Sequence, residues 1–383
     1  MKPIRAVRYL ACATALVACS RSNDRGQPTA QNPPPHASVT GSPQGLIGPA
    51  ATLSMTAVNN AQFATSKRRA MNRAGESDNT MDDNQSAEGT ITSSTAVGDD
   101  KTANPLLLKA EVLLDRANVS PGVMDGRMGQ NVKGAFSAYQ QMHGLSVTGE
   151  LDQATWNGLT SSDKAPVLKI YTLTPRDVGG PWSPAVGEDF VKMSQQSALG
   201  YTSAKQMLAE RFHMDEQLLT DLNPGADLTK AGTQIVVADP GIASLPKVKS
   251  IEVNKDKEEV TAFDDDHKAV GVFPATVGST TRPSPKGTWK VKGVAQNPDY
   301  QYDPAKLTWG PSHAGKLHIP PGPNNPVGVV WIALTAPDYG IHGSPDPHMI
   351  GKTASHGCVR LTNWDAEELS RAVKPGVTVT FLS

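Results

Sequence analysis

The sequence predicts a multidomain chain. A mainly β C-terminal domain of sandwich or barrel type, carrying one helix, follows a small three-helix domain and a small α+β domain. Three observations predict this. Apolar residues alternate with period two in short runs from Lys249 onward, they recur at helical spacing after Pro105, and residues 19–104 show no sustained hydrophobic period. With 34 Gly and 30 Pro in 383 residues and only 5% aromatics, a good part of the chain is expected to be linker. A formal net charge of −1 gives no electrostatic case for nucleic acid as a partner. The basic run Lys67-Arg68-Arg69 sits in polar low-complexity sequence and reads as solvated.

Lys2, Arg5 and Arg8 precede a short apolar run, Tyr9 to Ala18, that is too short to span a bilayer, so residues 1–18 read as an export signal. The end of the run, Leu16-Val17-Ala18-Cys19, resembles the lipobox of bacterial lipoproteins. That resemblance implies a lipid on Cys19 holding the chain to a membrane. With Ser20 next rather than Asp, it further implies a periplasmic protein sorted to the outer membrane. Residues 19–104 are Ser, Thr, Asn, Gln, Ala, Gly and Pro with scattered charge. Such a segment cannot bury enough apolar surface to offset its ordering entropy, and is expected to be a flexible tether with a reach of roughly 50 Å.

The first folded unit, 105–160, begins with Leu106, Leu107, Ala110, Leu113 and Leu114 at helical spacing behind Pro105. A turn-rich stretch leads to a second helix with Val132, Ala135, Phe136 and Tyr139 on one face, and a third spans Leu151 to Leu159 with Trp156 inward. This arrangement, with Val123-Met124-Asp125-Gly126 echoed at Val147-Thr148-Gly149-Glu150, resembles the type 1 peptidoglycan-binding domain. In residues 167–241 a strand (Val167–Thr174), two helices marked by Met207, Leu208 and Phe212 and by Leu218, Leu219 and Leu222, and a strand at Gln234–Val237 follow one another. That order, with Leu222-Asn223-Pro224 closing the second helix, resembles a LysM fold and implies binding of glycan strands. Residues Asp177 to Tyr201 are an insertion relative to that pattern.

From 247 to 383 the chain reads as β: Ile251/Val253, Val260–Phe263, an Asp264-Asp265-Asp266 turn, Ala269–Phe273, Thr288–Val294, the continuous apolar run Val329–Leu334, and Val377–Leu382. One helix starts at Thr362 or Asn363 as N-cap and ends at Pro375-Gly376. His342 falls on the loop leaving the buried strand and Cys358 just ahead of the helix. With Cys12 and Cys19 in or at the end of the signal, Cys358 is the one thiol left to the folded part, and a lone thiol in an oxidising compartment asks for a chemical reason. A thiol beside an imidazole is a nucleophile for acyl transfer, and the backbone N–H groups of His356, Gly357 and Cys358 are candidates to stabilise an oxyanion.

Thr276-Val277-Gly278, the turn Pro283-Ser284-Pro285-Lys286-Gly287, Ile341-His342-Gly343 and Ser355-His356-Gly357-Cys358-Val359-Arg360 together resemble the L,D-transpeptidase, or YkuD, catalytic domain. The resemblance implies Cys358 as nucleophile, His342 as its base and the Gly343 carbonyl as the group that fixes the imidazole tautomer. It also implies an oxyanion hole from Gly357 and Cys358 with His356, and a bracing role for Ser355. Arg360 is a candidate for a stem-peptide carboxylate; Tyr339 is a candidate cleft residue, and Ser355 too is placed among possible substrate contacts. The implied partners are a peptidoglycan tetrapeptide stem as acyl donor and an amine as acceptor, with no cofactor. An L,D-carboxypeptidase and a non-catalytic wall-anchoring lipoprotein are the alternatives. His342, Asp346, His348, His356 and Cys358 also supply zinc-type ligands, but at a spacing that fits no zinc pattern, and no metal is expected.

Overall fold

The computed structural model describes residues 53–63, 103–242, 244–306, 310–311, 313–353, 355 and 357–382. The three helices of the first unit form where capping and apolar spacing agree. Helix α2 (Pro105–Arg116) starts at Asn104, whose side chain accepts from the N–H groups of Leu106 and Leu107, with Pro at the first turn. Helix α3 spans Gln130–Met142, and α4 (Gln153–Ser162) is capped by Asp152, which accepts from Thr155 N–H at 2.7 Å. Leu108, Leu114, Phe136, Tyr139, Trp156 and Leu159 form its core. The echoed turns are built alike. Gly126 and Gly149 both have left-handed φ, and each hangs on a buried side chain: Glu111 accepts from Gly126 N–H at 2.9 Å, and Gln140 from Gly149 N–H at 3.0 Å.

Helix α1 (Met55–Asn59) lies inside the stretch expected to be tether, and here the structure differs from the expectation. Val58 is fully buried in the core of the three-helix unit. The Asn59 amide accepts from Val167 N–H (2.9 Å) and Leu168 N–H (2.8 Å) and donates to the Leu168 carbonyl (3.0 Å), while Lys109 Nζ donates to the carbonyls of Asn59 and Ala61. A five-residue helix shows no sustained period, so only its partners reveal it. The rest of the expected tether, and Cys19 with the signal, lie outside the described residues.

The second unit pairs β1 (Leu168–Thr172) antiparallel with β2 (Gln234–Ala238), from Leu168↔Ala238 to Thr172↔Gln234. Between them run the short helices α5 (Pro175–Val178) and α6 (Phe190–Ser194), then α7 (Ala204–Arg211) and α8 (Glu216–Leu222). Asn223 closes α8 and pins β2: it donates to the Leu219 and Val236 carbonyls and accepts from Val236 N–H at 2.6 Å. This βααβ unit shares one continuous apolar core with the three-helix unit, so the two are a single body rather than beads on a string.

The C-terminal domain is one eight-stranded sheet. Its strands are β3 (Ser250–Asn254), β4 (Glu259–Phe263), β5 (Ala269–Pro274), β6 (Gly287–Gln296), β9 (Val330–Leu334), β10 (Gly340–His342), β11 (Val359–Arg360) and β12 (Thr378–Leu382). Their order is β11-β10-β9-β6-β12-β3-β4-β5, with parallel pairing at β12/β3 and β10/β11. The chain after β5 curls back to the first strand: Thr276 and Arg360 exchange N–H···O bonds of 2.9 Å, and Ser355 N–H reaches the Val277 carbonyl. The sheet is therefore curled, its two ends bridged by the residues that follow β5. A ribbon of β7 (Tyr300–Tyr302) and β8 (Leu317–Ile319) lies outside it, and α9 (Asn363–Ala372), capped by Thr362, packs Ala366 and Leu369 into the sheet core.

The domain is fastened to the rest by backbone as well as side chains. Ser120 N–H donates to the Val272 carbonyl (2.8 Å) and Val272 N–H to that of Asn118 (2.9 Å), while His213 sits 3.0 Å from Asp115 and stacks on Trp364.

Candidate active site

Strand pairing sets His342 on one strand and Cys358 just ahead of its neighbour. His342 ends β10 rather than lying on a loop after β9, and Cys358 precedes β11 rather than α9 directly. In the parallel β10/β11 pair Ile341 faces Val359 and His342 faces Arg360, so Cys358 stands one residue before the strand that runs beside His342. Two- and three-residue strands carry too little pattern to be seen in sequence.

His342 is 4% exposed and its ring stacks on Trp331 at 5.3 Å between centroids. Its Nδ1 lies 2.7 Å from the Gly343 carbonyl. A carbonyl only accepts, so Nδ1 carries the proton and Nε2 is left with its lone pair. Burial, then the charge of Arg360, pulls the imidazole down to about 3, against the opposing pull of the Gly343 hydrogen bond. The ring is thereby held neutral well below the ordinary imidazole range.

Cys358 is half-buried, with Sγ 4.0 Å from the Asp338 carbonyl. Burial pulls the Arg360 guanidinium down, against the opposing charges of Cys358, Glu188 and Tyr300. The turn before the thiol is braced from several sides. Ser355 is 2% exposed; its hydroxyl donates to the Cys358 carbonyl and accepts from Gly357 N–H at 3.1 Å. Ser284 Oγ donates to the Gly357 carbonyl at 2.7 Å and accepts from Gly278 N–H at 3.0 Å. Gly357 has φ +115°, and a Cβ there would lie 2.9 Å from Tyr339 Cε1. Tyr339, half-buried, donates its hydroxyl to the Pro283 carbonyl at 3.3 Å.

The bracing role expected of Ser355 is the one these bonds describe. The Gly357 N–H, one of the expected oxyanion donors, is here bonded to Ser355 Oγ. His356, another expected donor beside Cys358, lies outside the described residues.

The insertion between α5 and α7 is the feature that sequence reading left without a role. Phe190, Met193 and Leu199 are buried with Tyr300, Tyr302, Ile319, Val327 and Trp331, and Cys358 packs against this cluster. The Phe190 ring meets Tyr300 and Tyr302 edge-on at 5.9 and 5.3 Å. Leu199 N–H donates to the Pro321 carbonyl (2.9 Å) and its own carbonyl accepts from Asn324 N–H (3.0 Å). One wall of the thiol's surroundings thus comes from the βααβ unit. A cleft of about 390 Å³ opens elsewhere, between α3 and the β4–β5 hairpin, lined among others by Asn131, Ser137, Glu259 and Gly351; neither Cys358 nor His342 lines it. Among the described residues no group of three or more His, Cys, Asp or Glu is arranged to hold a metal ion.

Residues 248–381 match the family model of the L,D-transpeptidase catalytic domain, and residues 105–159 that of a peptidoglycan binding domain. The chain is similar to proteins carrying L,D-transpeptidase names. It is 27% identical to YkuD of Bacillus licheniformis, over 46% of this chain and 91% of that protein. It is 31% identical to YqjB of Bacillus subtilis, over 35% of this chain and 72% of that one. Similarity to YbiS of Escherichia coli K12 is 28%, over 48% of this chain and 61% of that protein.

Proposed function

The chain belongs to the L,D-transpeptidase family, and from that premise we propose that it remodels peptidoglycan stems in the cell envelope with Cys358 as nucleophile and His342 as base. The observation that carries this is the buried, neutral His342, its Nδ1 committed to the Gly343 carbonyl at 2.7 Å and its strand paired with the one that follows Cys358. Nε2 takes the Sγ proton as sulfur attacks the carbonyl of the third residue of a tetrapeptide stem. The resulting oxyanion is stabilised by the backbone N–H of Cys358. When it collapses, the C–N bond to the terminal D-Ala breaks, His342 returns the proton to the leaving amine, and a thioester remains. An amine of a second stem, or of a protein to be anchored, then attacks the thioester and gives up a proton through His342, and the thiol is regenerated. Arg360 binds a substrate carboxylate beside the thiol, and Tyr339 lines the approach.

The apolar cluster of Phe190, Leu199, Tyr300 and Trp331 against Cys358 favours an amine over water as acceptor, because hydrolysis needs water at the thioester. Residues 105–159 bring the enzyme to the wall, and the βααβ unit, LysM-like in its element order, contacts glycan strands. A lipid on Cys19 would hold the whole to the outer membrane from the periplasmic side.

Incubation with tetrapeptide muropeptides, read by mass, tests the reaction: a dimer with loss of D-Ala is expected, a tripeptide alone would make the enzyme an L,D-carboxypeptidase, and no change would leave a binding protein. Cys358→Ala should abolish all release of D-Ala while the protein still sediments with insoluble peptidoglycan. Lipidation is tested by palmitate labelling of the full chain, which Cys19→Ser should abolish.

A further inference from the structure

A base held by a peptide carbonyl is only as well placed as that peptide. The Gly343 carbonyl that accepts from His342 belongs to a residue packed directly against Asn363: a Cβ on Gly343 would lie 2.2 Å from Asn363 Oδ1, and one on Gly328 would lie 2.1 Å from the same atom. The Asn363 amide is thus a wedge between two glycines, and it is 2% exposed. Both of its ends are bonded. Oδ1 accepts from Val329 N–H at 3.2 Å; Nδ2 donates to the Pro323 carbonyl and to Glu210 Oε1, each at 3.1 Å.

Glu210 is not part of the catalytic domain. It lies on α7 of the βααβ unit, and its carboxylate also accepts from the Tyr201 hydroxyl at 3.0 Å, where the insertion ends. Glu210 Oε1 accepts, as does the Pro323 carbonyl, while the Val329 N–H donates, and together the three dictate which way the Asn363 amide points. With the amide reversed, Oδ1 would face the Glu210 oxygen and the Pro323 carbonyl and Nδ2 would face the Val329 N–H, leaving three like pairs in a buried place.

We propose that Glu210 is a positioning residue for the transpeptidase reaction: through Asn363 it fixes the peptide whose carbonyl orients His342, so that the βααβ unit completes the catalytic domain. The proposal rests on His342 being the base. Its consequence is that a catalytic domain cut away from the βααβ unit retains the thiol and the imidazole but not their alignment, and small misplacements of reacting groups are costly.

The test uses the full chain and separate kcat and KM values for the tetrapeptide stem. Glu210→Ala should lower kcat by about tenfold or more with little change in KM, since a misplaced base penalises the transition state and not ground-state binding. Glu210→Gln, which keeps an oxygen able to accept from Asn363, should recover most of that loss. Arg211→Ala, on the same helix as Glu210, breaks the 2.6 Å ion pair to Asp177 of α5 and serves as the control for general loosening of the unit; it should lower the thermal midpoint without the loss in kcat. Wild-type kcat in Glu210→Ala, or equal losses in the Ala and Gln variants that follow thermal stability, would overturn the inference. Retained turnover in His342→Ala would instead overturn the premise, which keeps the two failures apart.

Discussion

Gly343 has no room for a side chain, and the reason lies in the site rather than in its own backbone. A methyl group there would meet Asn363 Oδ1 at 2.2 Å, so Gly343→Ala should cost about 1–3 kcal/mol of stability by overpacking and reduce turnover more than it reduces stability. Denaturant unfolding compared with kcat separates the two. Ser284→Ala removes the partner of both the Gly357 carbonyl and the Gly278 N–H, and is expected to cost roughly 1–3 kcal/mol by leaving Gly278 N–H without an acceptor, with faster amide exchange across 355–360. The imidazole of His342, brought down to about 3 by burial and by Arg360, stays neutral as pH falls until that range is reached. The pH profile of kcat/KM should therefore show no acid limb at the ordinary imidazole value near 6.5. A limb near 6.5 in the wild-type profile would contradict the buried neutral ring. Cys358, His342 and Gly343 were legible as residues because Ser-His-Gly-Cys and Ile-His-Gly are local patterns. Ser284 and Asn363 were legible only as a turn and a helix start, since what they do depends on atoms 73 and 34 positions away.

At the scale of elements, the long alternating strands and the capped helices could be read directly, because each carries its own period or cap. The short ones could not. Strands β10 and β11 exist only because β9 and the residues after β5 pair with them, and β7 and β8 form only against each other. The insertion over Asp177 to Tyr201 is the clearest case: its Gly-Pro start marks an irregular stretch, but the partners that bury Phe190 and Leu199 lie more than a hundred residues later. Phe190→Ala should open this wall beside the thiol. The expected outcome is a several-fold rise in tripeptide relative to cross-linked dimer, with the sheet intact by circular dichroism; an unchanged product ratio would show that the wall does not govern water access.

For the whole molecule, the junction of the three units is a pocket of buried acids. Burial raises Asp365 to about 7 and Glu368 to about 8, in the latter case helped by the neighbouring Asp365 charge. Burial alone would lower His213, but Asp115 at 3.0 Å, with Asp365 and Glu368, raises it on balance. In all three the folded protein holds a proton that the unfolded chain gives up earlier, so stability is full below about pH 4 for the acids and declines as pH climbs towards about 8. The thermal midpoint should fall between pH 5 and pH 8.5, and Glu368→Gln should flatten the fall; a midpoint rising over that interval would refute it. The docking of residues 53–63 has a different consequence, one of radius. If Cys19 is anchored, the distance between membrane and enzyme is bounded by the run from Cys19 to Leu53 and not by the run to Pro105. At about 3.4 Å per extended residue that leash is roughly 115 Å instead of roughly 290 Å. Residues 53–63 are held to the folded body by Val58 and the three hydrogen bonds of Asn59, so a single cut between them and Ala103 leaves the enzyme moored.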